Sequence, residues 1–307
     1  MSKNKIQSIR DAFGKALVIE GKKNKKILAV SVDLMGACKL NYFFENFPER
    51  FFEVGIAEAN AIGIATGLSF EGFRPFVASF GSFISGKNTE IRNSISYNNA
   101  PVVIVGTHCG LIGSDGATQS ALQDLSIMRS MPYFNVFQPC TPLETKEIIK
   151  YVSKTREPTY LRIPRNEIPE FLNKKYKFKI GMPNEIIKGK KKLIISSGAM
   201  VYNCLKAIKG LPKSGFGLVN ISSIKPLNSK ALIKIIKKYK KIITVEDHSI
   251  LGGLGSIVSE IIAENNLNIQ FKKHGIKNGF INSDTPENLE KEYQMDVESL
   301  KKIFNQT

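Results

Sequence analysis

The chain has 307 residues, is 42% hydrophobic and carries a formal net charge of +17, so it is long and apolar enough for two domains with buried cores. No run approaches the roughly 18–20 consecutive apolar residues of a membrane helix, and we expect no signal peptide because no apolar run follows the first residues. Four cysteines without Cys-x-x-Cys spacing predict free thiols in a reducing cytoplasm and argue against disulfides or a zinc site.

Strands and helices alternate through the first half. An amphipathic helix over residues 6–21 comes first, because apolar residues there recur at helical spacing. Further strands are predicted at 27–33, 52–54, 75–80, 102–107, 134–138 and 159–162, with helices near 58–70, 82–98, 120–130 and 142–154. The alternation predicts a parallel sheet covered on both faces, with functional residues at the carboxyl ends of its strands. Asp33, His108 and either Arg162 or Arg165 fall at such ends.

The second half predicts a second unit of the same kind. Residues 173–192 are lysine-rich and aperiodic, which indicates a linker. After it, strands are predicted at 193–198, 216–221, 242–246 and 269–273, helices at 200–209, 227–238 and 254–265, and a closing helix in the tail. The fold class is therefore α/β, with two doubly wound domains over residues 1–172 and 193–307. The glycine cluster at 252–255 opens a helix, where it either allows close packing, which we favour, or holds a phosphate.

The positive charge is concentrated in the second half. Residues 1–172 hold 20 basic and 16 acidic residues, a net +4, whereas residues 173–307 hold 24 and 11, a net +13. After Arg165 the chain contains lysine but no arginine. Because base recognition favours arginine, we do not expect nucleic-acid binding. The excess indicates either a lysine-rich compositional habit or a surface for an acidic partner subunit.

The stretch from Arg50 to Leu68 has the most distinctive composition in the chain. It predicts a short strand, a turn at Gly55 and a helix rich in alanine and glycine, whose small side chains allow a neighbour to approach closely. Glu58 is the single carboxylate between Gly55 and Leu68. Taken alone, it is best explained as an acidic residue that complements the positive end of a helix.

This stretch resembles the glutamate-bearing segment of the thiamine-diphosphate enzymes, namely transketolases, deoxyxylulose-phosphate synthases and the β subunits of 2-oxo acid dehydrogenases. In that superfamily the carboxyl group meets the aminopyrimidine ring of the cofactor. When protonated, it favours the tautomer that takes the proton from the thiazolium carbon. The resemblance implies this role for Glu58. An apolar surround would keep the carboxyl protonated, although the small residues after Glu58 suit helix packing equally well.

Two further stretches extend the resemblance to the cofactor site. Residues 75–83 resemble the aromatic segment that packs on the pyrimidine ring, which implies Phe80 and Phe83 as cofactor contacts. Core packing is the alternative role for both rings. Asp33 resembles the family aspartate that lies near the thiazolium ring.

The stretches at 107–118 and 158–165 resemble the parts of transketolase that bind the sugar. The first implies His108 and Asp115 as contacts to the donor substrate, with His108 at the reacting end, although a histidine there could simply cap its strand. The second implies Arg165 as the ligand of the sugar phosphate, a task that suits the planar fork of arginine. Arg162 could instead be an ion-pair partner inside the protein.

The sugar-binding stretch departs from its family at two positions. Transketolases usually have Asp-Gly-Pro/Ala-Thr-His-Gln there, whereas this chain has Gln119 in place of the histidine and Ser120 in place of the glutamine. Glutamine donates and accepts hydrogen bonds but carries no proton near neutral pH. Gln119 is therefore predicted to bind the donor without proton exchange, and an unusual donor is slightly favoured.

The resemblance covers residues 6–304 and is closest to the carboxy-terminal portion of transketolase. The chain lacks the family's Gly-Asp-Gly motif for the metal and the diphosphate. The resemblance therefore implies the carboxy-terminal subunit of a split transketolase, active on sugar phosphates only with an amino-terminal subunit that holds Mg or Ca, in an α2β2-like assembly. Thiamine diphosphate would be shared between the subunits, and no metal ligands are expected here. The alternatives are a 2-oxo acid dehydrogenase β subunit and a non-catalytic assembly subunit.

Overall fold

The structure is a computed structural model that describes residues 6–211 and 215–306. Within these ranges the strands form sheets of seven, five and two strands. In chain order the strands are β1 (Ile6–Ser8), β2 (Ile27–Ser31), β3 (Phe51–Glu53), β4 (Arg74–Phe80), β5 (Val103–Cys109), β6 (Asn135–Phe137), β7 (Thr159–Pro164), β8 (Glu167–Pro169), β9 (Asn184–Ile187), β10 (Lys192–Ser196), β11 (Phe216–Asn220), β12 (Ser223–Lys225), β13 (Lys241–Ser249) and β14 (Gln270–Ile276). The helices are α1 (Ile9–Lys23), α2 (Asn41–Asn46), α3 (Glu58–Phe70), α4 (Gly81–Ser85), α5 (Asn88–Glu90), α6 (Asp124–Ser130), α7 (Pro142–Val152), α8 (Met200–Lys209), α9 (Ser229–Ile236), α10 (Leu254–Glu264), α11 (Pro286–Glu292) and α12 (Val297–Asn305), with a 3₁₀ turn at Pro48–Arg50 and a π-helix at Ile91–Ser96.

The first half forms most of the seven-stranded sheet, in the order β12-β6-β7-β5-β4-β2-β3. Its six strands from the first half are parallel. Successive side chains of a strand point to opposite faces, so Phe76 of β4 packs in the same cluster as Phe13 of α1, whereas Val77 packs with Ala61 of α3. Helices therefore cover both faces, as the alternation of elements predicts.

The second half forms the five-stranded sheet, in the order β14-β13-β10-β11-β9. Four strands are parallel, and β9 pairs antiparallel with β11. Ile194 of β10 packs in one hydrophobic cluster with Met200 of α8, and Leu193 packs in the other with Val258 of α10. The predicted fold class, α/β with parallel sheets in two units, is confirmed.

Two short strands connect regions that the sequence separates. β9 lies inside residues 173–192, the predicted linker, where Ile186 and Ile187 pack against the core. Burial of these two side chains stabilises a strand that the lysine-rich composition of the segment did not predict. β12 belongs to the second half of the chain, yet it pairs antiparallel with β6 at the edge of the first sheet. The two halves therefore share a sheet as well as both hydrophobic clusters.

Three helices differ from their predicted limits. The predicted helix 6–21 starts as β1, which pairs with β8. α1 begins only after Ser8, whose hydroxyl accepts a hydrogen bond from the amide of Asp11 at 3.2 Å and caps the helix. The predicted helix 82–98 is divided into α4, α5 and the π-helix, and the closing helix is the pair α11 and α12. No helix in the described ranges has the length and hydropathy to cross a membrane.

Candidate functional site

The predicted site residues collect at one edge of the first sheet. β4, β5 and β7 are neighbouring parallel strands, so their carboxyl ends meet at the same edge. β4 ends at Phe80, His108 is the penultimate residue of β5, and Arg165 directly follows β7. Residues that are far apart in the chain thus become neighbours, as expected for this fold class.

Glu58 begins α3 and lies next to the aromatic segment. Its residue is only 8% exposed, and its Oε1 accepts a hydrogen bond from the Ser79 hydroxyl at 3.1 Å. Ser79 immediately precedes Phe80. The remaining carboxylate oxygen has no partner among the described residues, so Glu58 is a buried acid with hydrogen-bonding capacity left for a ligand.

Glu53, which the sequence analysis did not identify, stabilises the turn before Glu58. Its Oε1 accepts hydrogen bonds from the amides of Asp33 at 2.7 Å and Gly55 at 3.1 Å. Partial burial acts to raise the pKa of Glu53, but the nearby Ser31 hydroxyl and the hydrogen bonds from these amides outweigh it and lower the pKa. Asp33 is exposed, with φ of 64°, and it joins this turn through its amide.

Phe80 and Phe83 form a short aromatic stack that ends on His108. The Phe80 ring lies 5.2 Å from the Phe83 ring, with 20° between the planes, and 3.8 Å from the His108 ring, with 29° between the planes. Phe80 also packs against the core, which is the alternative role, and its contact with a cofactor stays a prediction. Phe83 contacts no other aromatic ring in the described part of the chain, which leaves ring surface on which a flat heterocycle could stack.

His108 is buried and has a left-handed backbone, with φ of 55°. Such strained conformations are common at functional sites. Thr107 Oγ1 donates to the carbonyl of Ser79 at 3.2 Å, so the 3.0 Å contact between His108 Nδ1 and Thr107 Oγ1 is donated by the imidazole. The other nitrogen, Nε2, accepts from Nη1 of Arg10 at 3.2 Å. Burial, followed by the charges of Arg10 and Arg165, lowers the pKa of His108 to about 3, so the ring is neutral at neutral pH.

Arg10 is a site residue that the sequence analysis missed. Besides His108, its Nη1 bonds the carbonyl of Ala37 at 2.9 Å, while its buried Nε has no partner among the described residues. Burial and then the nearby charge of Arg165 lower the pKa of Arg10. Arg10 and Arg165 line one pocket of about 540 Å³, whose opposite wall comes from the second half of the chain, including Tyr202 and Lys206. Glu167, Glu287 and Glu290 also line the pocket, so it is the end formed by the two guanidinium groups that favours an anionic ligand.

The structure joins two of the predicted sugar-binding residues directly. Nη1 of Arg165 donates to Oδ2 of Asp115 at 2.8 Å, and both side chains are partly exposed. Gln119 lies nearby in the chain, but its amide oxygen accepts from the Thr118 hydroxyl, and its backbone carbonyl accepts from Ser82 Oγ at 2.9 Å. In the described ranges no hydrogen bond connects the Gln119 side chain with His108 or Asp115.

Arg162 is an internal ion-pair partner, one of the two roles that the sequence allowed. It is completely buried, and its Nε donates to Asp124 Oδ2 at 3.0 Å while its Nη1 donates to Asp247 Oδ1 at 2.8 Å. Its Nη2 bonds the carbonyls of Ala121 and Asp247. All three nitrogens are engaged, so of Arg162 and Arg165 it is Arg165 that is available to an external anion.

The glycine cluster at 252–255 serves packing, as favoured from the sequence. Glu246 Oε2 accepts from the amide of Leu254 at 2.7 Å, and its Oε1 accepts from Gly255 at 2.8 Å. A Cβ atom on Gly253 would lie 2.1 Å from Glu246 Oε2. The start of α10 is therefore capped from within, with no space for a phosphate.

The cysteines and acidic residues of the described ranges form no cluster suited to a metal ion. All four cysteines are free and buried, as predicted. Among residues 6–211 and 215–306, no group of three or more histidine, cysteine, aspartate and glutamate residues is placed to hold a metal ion.

Comparison with known proteins gives the family. Residues 5–170 match the transketolase pyrimidine-binding domain, and residues 184–300 match the transketolase C-terminal domain. The chain belongs to the transketolase family. The resemblance inferred from the sequence motifs is thereby confirmed.

Several relatives of this transketolase-family chain are of similar length. A putative transketolase C-terminal section from Methanocaldococcus jannaschii is 38% identical over 96% of this chain and 95% of its own length. One subunit of an apulose-4-phosphate transketolase from Phocaeicola vulgatus is 33% identical, over 85% of this chain and 86% of its own length. A 1-deoxy-D-xylulose-5-phosphate synthase from Halothermothrix orenii is 33% identical over 96% of this chain, which spans only 48% of the synthase.

Solved structures agree with this assignment. A structure described as a split gene transketolase, inactive beta4 tetramer, superposes with a TM-score of 0.89 at 35% identity, over 98% of both chains. Transketolase from Campylobacter jejuni superposes with a TM-score of 0.82 over 99% of this chain and 47% of its own. At 21% identity, that second likeness concerns the fold alone.

Proposed function

We propose that the chain is the carboxy-terminal subunit of a split thiamine-diphosphate-dependent transketolase, which transfers a two-carbon ketol unit between sugar phosphates. The observation that carries this proposal is the arrangement at the edge of the first sheet. A buried carboxyl at Glu58 lies beside the Phe80–Phe83 stack, which leads through His108 to the pocket lined by Arg10 and Arg165. The near-complete coverage of relatives described as a C-terminal section and as one subunit of a transketolase supports the split organisation.

The residues of this chain fit one half of the cofactor. The free oxygen of Glu58 suits the aminopyrimidine, and Phe83 suits the flat face of that ring. When bound, thiamine diphosphate supplies carbanion-stabilising chemistry. The described residues provide no oxygen cluster for a divalent cation, which needs several oxygen ligands. We therefore assign the diphosphate and its Mg or Ca to an amino-terminal subunit.

Arg10, Arg165 and His108 fit the phosphorylated substrate. The two guanidinium groups are close enough for Arg165 to lower the pKa of Arg10, and an anion between them would relieve that repulsion. Arg165 would release Asp115 to bind the phosphate through its fork. Once Arg10 turns toward the phosphate, Nε2 of the neutral His108 is free to accept a hydrogen bond from a sugar hydroxyl.

An exposed face of α3 supports assembly with further subunits. Phe70, the last residue of α3, is 60% exposed, and Ile56, two residues before the helix, is 83% exposed. Between them, a Cβ atom placed on Gly63 or Gly67 would meet no atom within 4 Å. Exposed apolar surface of this kind is typical of an interface. We propose that it is covered in an α2β2-like assembly. The solved relative described as an inactive beta4 tetramer supports the self-association of such chains.

Titration calorimetry tests the proposed split. The purified chain, mixed with thiamine diphosphate and Mg²⁺, is expected to bind the cofactor weakly and to have no transketolase activity. Addition of the amino-terminal subunit, with its Gly-Asp-Gly motif, should restore both. Tight cofactor binding by this chain alone would contradict the split site, and activity on 2-oxo acids but not on ketose phosphates would contradict the assigned reaction.

A further inference from the structure

The segment that carries the predicted sugar-binding residues is a glycine-rich loop. We call residues 108–121 the substrate loop, because it contains His108, Asp115 and Gln119. Its two ends are close together, since the amide of Gly110 donates to the carbonyl of Ala121 at 3.0 Å. Three glycines in the loop, at 110, 113 and 116, have positive φ. Glycine in such conformations loses much conformational freedom on ordering, so a defined loop shape requires external contacts.

The base of the substrate loop is held by Asp247, at the carboxyl end of β13 in the second sheet. Arg162 links Asp247 to the loop, because its Nη2 donates both to the carbonyl of Asp247 at 3.0 Å and to that of Ala121 at 3.1 Å. The Asp247 carboxylate also packs on the other end of the loop. A Cβ atom on Gly110 would lie only 2.2 Å from Asp247 Oδ2. The pair therefore contacts both ends of the loop.

The contact between Arg162 and Asp247 at the base of the substrate loop is made by buried charges. Arg162, Asp124 and Asp247 are 0%, 1% and 2% exposed. Buried charges must remain paired, because separation of one partner leaves the others uncompensated in a medium of low dielectric constant. The Asp247 carboxylate is fixed further by Gln138, whose Nε2 donates to its Oδ1 at 3.3 Å. Asp247 is therefore held in one position, and the base of the substrate loop is held with it.

The second half of the chain also contacts the tip of the substrate loop. The Ser283 hydroxyl donates to the carbonyl of Ser114 at 2.6 Å. A Cβ atom on Gly113 would lie 3.0 Å from the Cδ atom of Pro286, so the start of α11 closely approaches the loop. Asp115, which pairs with Arg165, follows Ser114 directly. The loop thus touches the second half at its tip as well as at its base.

We propose that the second domain positions the substrate loop, with Asp247 as the positioning residue at its base and Ser283 at its tip. The role in substrate binding rests on the proposed function, but the role in loop order does not. Contacts that order the loop before the substrate arrives lower the entropy cost of ordering it on binding. The second domain then contributes to donor binding without touching the reacting atoms.

The test combines hydrogen exchange with kinetics on Asp247→Asn. In the full chain alone, amides of residues 110–121 should exchange at least about tenfold faster, as expected when a hydrogen bond to a charged group is weakened. In the assembled enzyme, KM for the ketose phosphate should rise more than kcat falls, with cofactor affinity unchanged. Glu260→Gln is the matched control, because the Arg129–Glu260 pair also joins the two halves but does not touch the loop.

Two outcomes overturn the proposal. If Asp247→Asn lowers the melting temperature but loop exchange matches that of Glu260→Gln, the buried pair is structural only. If Asp247→Asn does not fold, Ser283→Ala at the exposed tip replaces it, and unchanged exchange at residues 113–116 refutes positioning by the second domain. If Asp247→Asn accelerates loop exchange but the assembled parent enzyme has no transketolase activity, the positioning role stands and only the proposed function is rejected.

Discussion

Replacement of Arg162 by methionine should destabilise this protein far more than loss of an exposed ion pair. The side chain is completely buried and makes hydrogen bonds with Asp124, Asp247 and the carbonyl of Ala121. Its removal leaves two carboxylates buried without a cation. Removal of one partner from a buried ionic group costs about 3–5 kcal/mol.

The matched control is Arg129→Met, which removes the same side chain from an ion pair that is partly exposed. Such pairs contribute only about 0–1 kcal/mol. The free energy of unfolding, measured by guanidinium titration with circular dichroism, should therefore differ between the two variants by about 2–5 kcal/mol. A triple variant that adds Asp124→Asn and Asp247→Asn to Arg162→Met should recover part of the loss, because no unpaired charge remains.

Equal destabilisation by Arg162→Met and Arg129→Met would refute this reasoning. It would mean that water or a conformational change stabilises the two carboxylates, and that the burial of Arg162, Asp124 and Asp247 does not set the cost of removing the cation. Failure of the triple variant to recover any stability would show that lost packing, not uncompensated charge, causes the effect.

Four further outcomes are expected. Glu58→Gln in the assembled enzyme should lower turnover by on the order of 10²-fold or more with little change in melting temperature, and near-normal deuterium exchange at the thiazolium carbon would reject the role. Arg165→Lys should mainly raise KM for phosphorylated donors, since the fork is lost while the charge remains; an equal effect on unphosphorylated donors would indicate a structural arginine. Gln119→His, assayed on a panel of ketose phosphates, should increase activity on common donors if the loop is adapted to an unusual one, whereas no change on any donor would mean that the side chain does not contact the reacting carbons. Burial raises the pKa of Glu246 to about 7 from 4.5, so the folded state binds a proton that the unfolded state has lost, and the parent chain loses stability as pH rises through this window. Glu246→Gln lacks this titration, so its stability relative to the parent chain should grow between pH 5 and 8, by roughly 3 kcal/mol. Parallel pH profiles of the two proteins would exclude the effect.

The sequence alone determines the α/β class and much of the site. Hydrophobic periodicity alternates between helix and strand, and this alternation predicts Asp33, His108 and either Arg162 or Arg165 at the carboxyl ends of strands. In the structure His108 lies near the end of β5, and Arg165 directly follows β7. Their roles toward a sugar and a cofactor remain predictions. The local pattern around Glu58 indicates only an acidic residue at a helix start, and it is the family resemblance that implies the cofactor role, which stays a prediction.

Other features depend on contacts that no local pattern reveals. Arg10 lies on an ordinary amphipathic helix, and only the packing of α1 beside β5 brings it to His108, 98 residues later. β12 joins the first sheet although it follows three strands of the second. The difference in burial between Arg162 and Arg165 also depends on tertiary structure. The two residues lie only three apart in the chain, but Arg162 is paired with Asp247, 85 residues away, while Arg165 borders the open pocket. Whether a charged side chain is buried depends on which distant groups can neutralise it, and only the assembled fold determines those groups.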